Sequence, residues 1–468
     1  MVVSVPEVTR YPAQPFPLGL RGRRAAWVAA AGLVLACGAD PGSGPRPGQV
    51  DAELADVLAA GGVQTLAPPP VPAGNLVELG RLLMFDKILS GNKDIACSTC
   101  HNPVYHATDN LTLPIGTGGR RVGPARQLAS GRIIGRNSGD LYNRSLPGWS
   151  SLFWDGRVGR EGSVIQTPAG QHLPPGTSLL AAQAMFPVTV REEMLGYPGD
   201  TTRSGEINEL ATLPDGDFHG VWNGLMRRVL AIPEYVELFR SAFPEVDSAD
   251  LGFHHATTAI AAFETAVFTH LNTPFDRYVA GDRAALSDSA KRGALLFYGR
   301  ARCAGCHVGS LLTDQKFHNI GAPQLGPGMA PGAPWDLGRE GVTGDPGDRF
   351  AFRTPSLRNV ALTGPWMHNG AYATLKASVR HYRNPASALR QFDESQLDPR
   401  FRGMLHRDPA TLDEIVATLD PLLPADLSLS DSDVAELVAF LLALTDQAAV
   451  NQVREIPHRV PSRIPVFE

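Results

Sequence analysis

Apolar residues recur at helical spacing in several stretches of the chain. From Asn75 to Phe85, Leu76, Leu79, Leu82 and Leu83 fall on one face, the periodicity of an amphipathic helix. Residues 50–62, 254–271 and 429–447 carry the same signature. In the last of these, Asp433 followed by Glu436 reads as a capping-box start. Few stretches alternate as strands. Between the periodic segments lie 38–49, a flexible tether, a proline-rich strap at 64–74, and a Gly/Pro-rich loop at 322–348. The chain has 48 glycines and 39 prolines, which suits long ordered loops. The pattern predicts a mostly α protein.

Two of the helical patterns belong to a weak internal repeat. Gly80-Arg-Leu-Leu-Met-Phe85 precedes Cys97-Ser-Thr-Cys100-His101, and Gly293-Ala-Leu-Leu-Phe-Tyr298 precedes Cys303-Ala-Gly-Cys306-His307. Each copy is an amphipathic helix, a turn and CxxCH, which implies two related lobes. CxxCH is the attachment sequence of c-type haem. Its two thiols add to the two porphyrin vinyls, and the following histidine is then held close enough to ligate iron. Two matches use four of the five cysteines. Zinc would need four ligands per site, and no second CxxC lies near either motif. A thioredoxin-like reading has no βαβ pattern to support it. Two haems in one chain imply that one iron opens to substrate while the other stays six-coordinate and exchanges electrons.

Composition narrows the class further. The formal net charge is −5 and hydrophobic residues make up 43%, with no basic block of the kind that binds nucleic acid. Arg21, Arg23 and Arg24 precede an apolar run from Ala25 to Ala36 that ends at Cys37. A basic stretch, a short apolar run and a small residue before cysteine read as a lipoprotein-like signal over 1–37, with Cys37 as the lipid-anchor residue. The run is short for a membrane span. Haem attachment also implies assembly outside the cytoplasm, so an exported, periplasmic or membrane-anchored protein is expected.

Further motifs accompany the haem signatures: Arg136-Asn137-Ser138, Phe153-Trp154-Asp155-Gly156-Arg157, Glu192-Glu193-Met194, Phe317-His318-Asn319-Ile320-Gly321, Arg353 to Val360, and Thr363 to Gly370 with His368. On these residues the chain resembles the bacterial di-haem cytochrome c peroxidase/MauG family over roughly 75–446. The resemblance implies two cytochrome c-like domains with haems facing a shared interface and a calcium ion between them. The expected division is 38–74 as tether, 75–250 as the N-terminal peroxidatic domain, 251–447 as the C-terminal electron-transfer domain, and 448–468 as a tail. It also implies roles. His101 and His307 match the proximal iron ligands, and Trp154 the tryptophan between the haems. Gln183, Pro187 and Glu193 match the distal pocket of the N-terminal haem, with Glu193 as the acid–base toward hydrogen peroxide. Asn137, Thr363 and Pro365 match the calcium ligands, an oxygen-only set that suits that ion.

Two departures from the peroxidase branch set expectations. Residues 102–136 offer only His106 as a distal histidine, five positions past His101. Fourteen residues past His368, where the peroxidases carry a methionine ligand, stands Tyr382, as in the MauG-like branch; Met404 is the nearest later methionine. A phenolate is anionic and hard, so it favours oxidised iron where a thioether favours Fe(II). Three readings follow. The first is a MauG-like enzyme that stores oxidising equivalents and modifies a secreted protein, with tryptophan as the residue type such enzymes oxidise. The second is a peroxidase detoxifying hydrogen peroxide with electrons from a small redox protein. The third is a non-enzymatic di-haem electron carrier, which the Gln183/Glu193 pocket disfavours.

Overall fold

A computed structural model describes residues 47–170 and 173–467. The signal-like segment, the first part of the tether and Cys37 lie outside the described residues. The architecture is mostly helical with little strand. No helix among the described residues is long and apolar enough to cross a membrane.

Two hydrophobic cores organise the described chain. The first gathers α2 (Gly74–Phe85), α4 (Leu179–Ala184), α5 (Phe218–Leu230), α6 (Pro233–Ala242) and α7 (Phe253–Val267). It also holds α3 (Cys97–Cys100), the short helix of the first CxxCH. The second gathers α1 (Pro47–Ala60), α8 (Pro274–Val279), α9 (Asp288–Tyr298) and α14 (Asp431–Leu442). The short helices α10 (Glu340–Thr343), α11 (Leu375–His381), α12 (Pro385–Arg390) and α13 (Pro409–Ala417) punctuate the loops between α9 and α14.

The sequence repeat marks one packing device used twice. α2 crosses α7 at Gly80, where a Cβ would lie 1.8 Å from the Ala259 carbonyl oxygen. α9 crosses α14 at Gly293, where a Cβ would lie 1.9 Å from the Glu436 carbonyl oxygen. Glycine at each crossing lets two helix backbones touch, at a cost in helix propensity of about 1 kcal/mol. Aromatic rings fill the space beside each crossing: Phe85 lies edge-on to Phe263, and Phe297 to Phe440.

Strands are few. β1 (Ser151–Leu152), β2 (Val158–Glu161) and β3 (Val164–Gln166) form an antiparallel sheet, with Leu152 paired to Val158 and Arg160 to Ile165. β4 (Phe317–His318) pairs antiparallel with β5 (Phe352–Arg353).

Four sequence expectations need adjustment. The tether expected over 38–74 is, from Pro47 onward, a docked helix followed by an extended strap. α1 buries Leu54 and Leu58 in the second core, and Asp51 accepts a hydrogen bond from Tyr278 Oη at 2.8 Å. The boundary at 250/251 would place α7 in the C-terminal lobe, but α7 packs on α2 in the first core. Helical periodicity shows that a face is buried, not which partner buries it. The tail expected at 448–468 is likewise docked as far as residue 467: Ala449 and Val460 are buried in the first core, and Ser462 Oγ donates to buried Asp86 at 2.6 Å. Finally, the capping box of α14 pairs Ser430 with Asp433, one turn earlier than the expected Asp433/Glu436 pair.

Candidate functional site

The loop motifs knit around one buried arginine. Arg136 donates to Asp155 at 2.5 Å and, through two nitrogens, to Asp336 at 2.7 and 2.8 Å. Burial opposes its charge, but the two carboxylates outweigh burial and hold the guanidinium protonated. The neighbouring Arg353 donates its backbone N–H to the Trp154 carbonyl and its Nε to the Phe153 carbonyl. Such charge-assisted bonds fix geometry more than they add stability. Their effect is to hold Trp154, whose indole N–H donates to the Asn137 carbonyl at 3.0 Å.

A cavity opens on each side of this knot. One is lined by Cys97, Cys100 and His101, the other by Cys303, Cys306 and His307. Trp154, Asn137, Gly139, Asp140, Arg353 and Pro355 line both. The walls are mainly apolar, with Met84, Ile95 and Ile260 on the N-terminal side and Phe297, Leu437 and Leu441 on the other.

The residues present fit haem. Burial pushes the Cys97 and Cys303 thiols up to about 12, and raises Cys100 as well. Neutral thiols suit thioether bonds rather than thiolate–metal ligation. His101 Nδ1 lies 3.2 Å from the Ala107 carbonyl, and His307 Nδ1 lies 3.0 Å from the Leu312 carbonyl. A carbonyl only accepts, so each Nδ1 carries the proton and each Nε2 is left as the ligating atom. Burial lowers both imidazole pKa values, which keeps the rings neutral.

The N-terminal cavity brings together every residue expected there. Gln183 from α4, Pro187 at the start of a short turn, and Glu193 from the turn at Arg191–Leu195 line it with Arg157. Burial raises the Glu193 pKa, against the Arg157 guanidinium 3.9 Å away. His106 is not among the lining residues; its ring turns toward the Ala449 carbonyl at 3.5 Å. His101 is the one histidine among the described residues lining this cavity.

The C-terminal cavity receives Tyr382 from the end of α11. Burial raises its phenol pKa. Met404 packs elsewhere, against a cluster holding Leu113 and Phe401. His368 also lines the cavity, its ring stacked 3.5 Å from that of Phe352 and its pKa lowered to about 4 by burial. Asn137, Thr363 and Pro365 line the same cavity. The Asn137 amide nitrogen donates to the Leu111 carbonyl at 2.8 Å, which leaves its oxygen as a candidate cation ligand.

Cys306, Asp314 and His318 also converge within metal-binding range. His318 is committed to carboxylates at both nitrogens, 3.0 Å from Asp314 and 2.6 Å from Asp420. Hydrogen bonds to Asp314 first, then to the Cys306 sulfur and Asp420, raise its pKa to about 11 against the effect of burial. A charged imidazole between two carboxylates is an ion-pair bridge, and the Cys306 thiol is accounted for by its CxxCH.

Sequence reasoning passed over Arg144 and Glu264, both lining the N-terminal cavity. Glu264 was legible as the one acid in the apolar run from Ala259 to Val267. Arg144 carried no comparable signal.

The chain is similar to several known proteins. The family described as di-haem cytochrome c peroxidase matches residues 74–284. The methylamine utilization protein MauG of Methylorubrum extorquens is 31% identical over 355 residues, 72% of this chain and 79% of that protein. Cytochrome c551 peroxidase of Pseudomonas aeruginosa is 31% identical over 303 residues, 64% of this chain and 70% of that protein. Among solved structures, a MauG-like protein associated with microbial copper homeostasis aligns with a TM-score of 0.57 at 28% identity, over 84% of this chain and 97% of the other. The diheme peroxidase BthA of Burkholderia thailandensis shares the fold at 20% identity, with a TM-score of 0.52 over 84% of this chain and 93% of its own.

Proposed function

The chain belongs to the di-haem cytochrome c peroxidase family, an oxidoreductase using hydrogen peroxide with two haem c groups, and on that premise we propose that it is a MauG-like enzyme that oxidises a partner protein. The haems, when bound through Cys97/Cys100 and Cys303/Cys306, supply the two-electron redox chemistry. The chain's own residues decide where it happens and what it is directed to.

In this reading His101 and His307 are the proximal ligands and Tyr382 is the second ligand of the C-terminal iron. A buried phenol does not ionise unaided; a bound ferric haem would supply the positive charge that permits the phenolate. Glu193, with its pKa raised by burial, holds a proton within the N-terminal cavity and moves it between the peroxide oxygens. Gln183 and Pro187 position the peroxide and limit water. Trp154, shared by both cavities, is the electron path between the haems. Asn137 Oδ1 and the carbonyls of Thr363 and Pro365 hold calcium beside it. The 1–37 segment exports the chain, with Cys37 as a lipid anchor, and the two CxxCH lobes are the functional halves, with α7 belonging to the first.

One observation carries the choice of branch. Tyr382 lines the cavity of the second CxxCH, while no histidine other than His101, among the described residues, lines the cavity of the first. With haem bound there, this lining would offer the N-terminal iron no second histidine in the fully oxidised protein. Fully ferric enzyme is therefore expected to react rapidly with peroxide without prior reduction, and Tyr382→Met to lose the stabilised oxidised form of the second haem. Stopped-flow spectra check this. A wild type that responds only after one-electron reduction would return the protein to the detoxifying branch.

A further inference from the structure

Beyond the cavity walls, Tyr372 is paired with an imidazole. Tyr372 Oη lies 2.8 Å from His381 Nδ1, and His381 Nε2 lies 2.7 Å from the Ile320 carbonyl oxygen. Both side chains are buried, at 5% and 2% exposure. The hydrogen bonds assign the tautomer. The Ile320 carbonyl can only accept, so Nε2 carries the proton. With Nε2 committed to that carbonyl, Nδ1 is the ring nitrogen left to accept from Tyr372. Tyr372 therefore donates its phenolic proton to Nδ1.

The pair also stands next to the C-terminal cavity. The His381 ring centroid is 5.5 Å from that of Tyr372 and 5.4 Å from that of Tyr382. Trp366, which lines the cavity, exchanges backbone hydrogen bonds with Tyr372. Tyr298 makes the contrast: it follows the cavity residue Phe297, but its buried hydroxyl has no acceptor.

We propose that Tyr372 is a redox-active tyrosine that gives one electron to the peroxide-oxidised C-terminal haem while its proton passes to His381. The step balances. The Tyr372 O–H bond breaks, an N–H bond forms at His381 Nδ1, and one electron reduces the oxidised haem by one equivalent. Hydrogen peroxide is the oxidant that created the deficit. The product is a neutral tyrosyl radical beside an imidazolium. Phenol oxidation without an acceptor would leave a strongly acidic radical cation, which is why the preset hydrogen bond matters. The radical would sit among Leu113, Phe392 and Phe401, where it holds one oxidising equivalent away from solvent until a partner supplies an electron.

This inference rests on the functional reading above, through the oxidised second haem. The test is freeze-quench electron paramagnetic resonance of the holoenzyme after peroxide addition, without partner, with optical spectra of the same samples. A tyrosyl signal is expected, with its hyperfine pattern collapsed by ring-deuterated tyrosine. It should be lost in Tyr372→Phe and shortened in lifetime several-fold in His381→Gln, with the oxidised haem spectrum decaying more slowly in Tyr372→Phe. A spin-trap adduct in wild type should map by mass spectrometry to the peptide containing Tyr372, independently of how any variant folds. Haem spectra that do not respond to peroxide would overturn both this proposal and the functional reading. Responsive haem spectra with no tyrosyl signal, or a signal unchanged in Tyr372→Phe, would overturn this proposal alone.

Discussion

The two cores repeat one scaffold and differ in what they present to the cavity. In the first, α2 crosses α7 against Ala259, and Ile260 and Glu264 line the cavity just beyond the crossing. In the second, α9 crosses α14 against Glu436, and Leu437 and Leu441 line the cavity at the matching offsets. Both CxxCH histidines, His101 and His307, give Nδ1–H to a backbone carbonyl a few residues on. The frame that would hold iron is thus duplicated. The opposing wall is not: Glu193, Gln183 and Arg157 face one site, and Tyr382 among leucines faces the other. A fold of this kind can give its two halves different chemistry through a few cavity-lining side chains, with the helices unchanged.

The sharpest way to break the comparison is to remove the acid of the N-terminal wall. Glu193→Gln keeps shape and hydrogen bonding but cannot shuttle a proton. It is expected to retain both haems and slow the reaction with peroxide by about 10²–10⁴-fold, the usual scale of positioned acid–base assistance. Stopped-flow rates measure it. Because burial raises the Glu193 pKa, its protonated form persists to higher pH than that of an ordinary glutamate and is lost as pH rises further.

The next test uses Glu264, a carboxyl where its counterpart Leu441 is apolar. Burial pushes its pKa up to about 8, and Arg144 opposes the shift. The sign follows from proton uptake: between the ordinary carboxylate value near about 4.3 and about 8, the folded state binds the proton and the unfolded state does not. Stability contributed by this group is full below the lower value and falls as pH rises through the window, at up to about 1.4 kcal/mol per pH unit. Glu264→Gln should flatten that slope. Denaturation midpoints of holoenzyme and variant at pH 5 and pH 8 check it; identical slopes would place the proton elsewhere.

Much of this comparison was legible in the residues, and the gaps have physical causes. CxxCH constrains chemistry so tightly that spacing alone located both cavities. The repeat showed Gly80 and Gly293 in equivalent places, and the offset from His368 put Tyr382 in its cavity. What periodicity could not supply was partnership. α7 reads equally well as the start of the second lobe, and the docking of α1 and of the tail depends on surfaces far away in sequence. Tyr372 and His381 were invisible for a related reason. Their bond joins a loop to a helix end, and the tautomer that orients it is set by Ile320, sixty-one residues away.

The smallest expected effect tests whether the two crossings are equivalent. Gly80→Ala places a methyl 1.8 Å from the Ala259 carbonyl oxygen, and Gly293→Ala places one 1.9 Å from that of Glu436. Neither obstacle is the end of a flexible side chain, so each helix pair must separate. Alanine improves intrinsic helix propensity by about 1 kcal/mol, which offsets part of the strain. Overpacking a tight interior costs about 1–3 kcal/mol, and the backbone contact puts these sites toward the upper end, so a net loss of about 1–2 kcal/mol is expected for each. Hydrogen exchange localises the damage. Gly80→Ala should speed exchange in α2 and α7 while sparing α9 and α14, and Gly293→Ala should do the reverse. Equal loosening of both helix pairs by either substitution would mean that the cores unfold as one unit, and that the duplication is one of sequence and geometry without separate cooperativity.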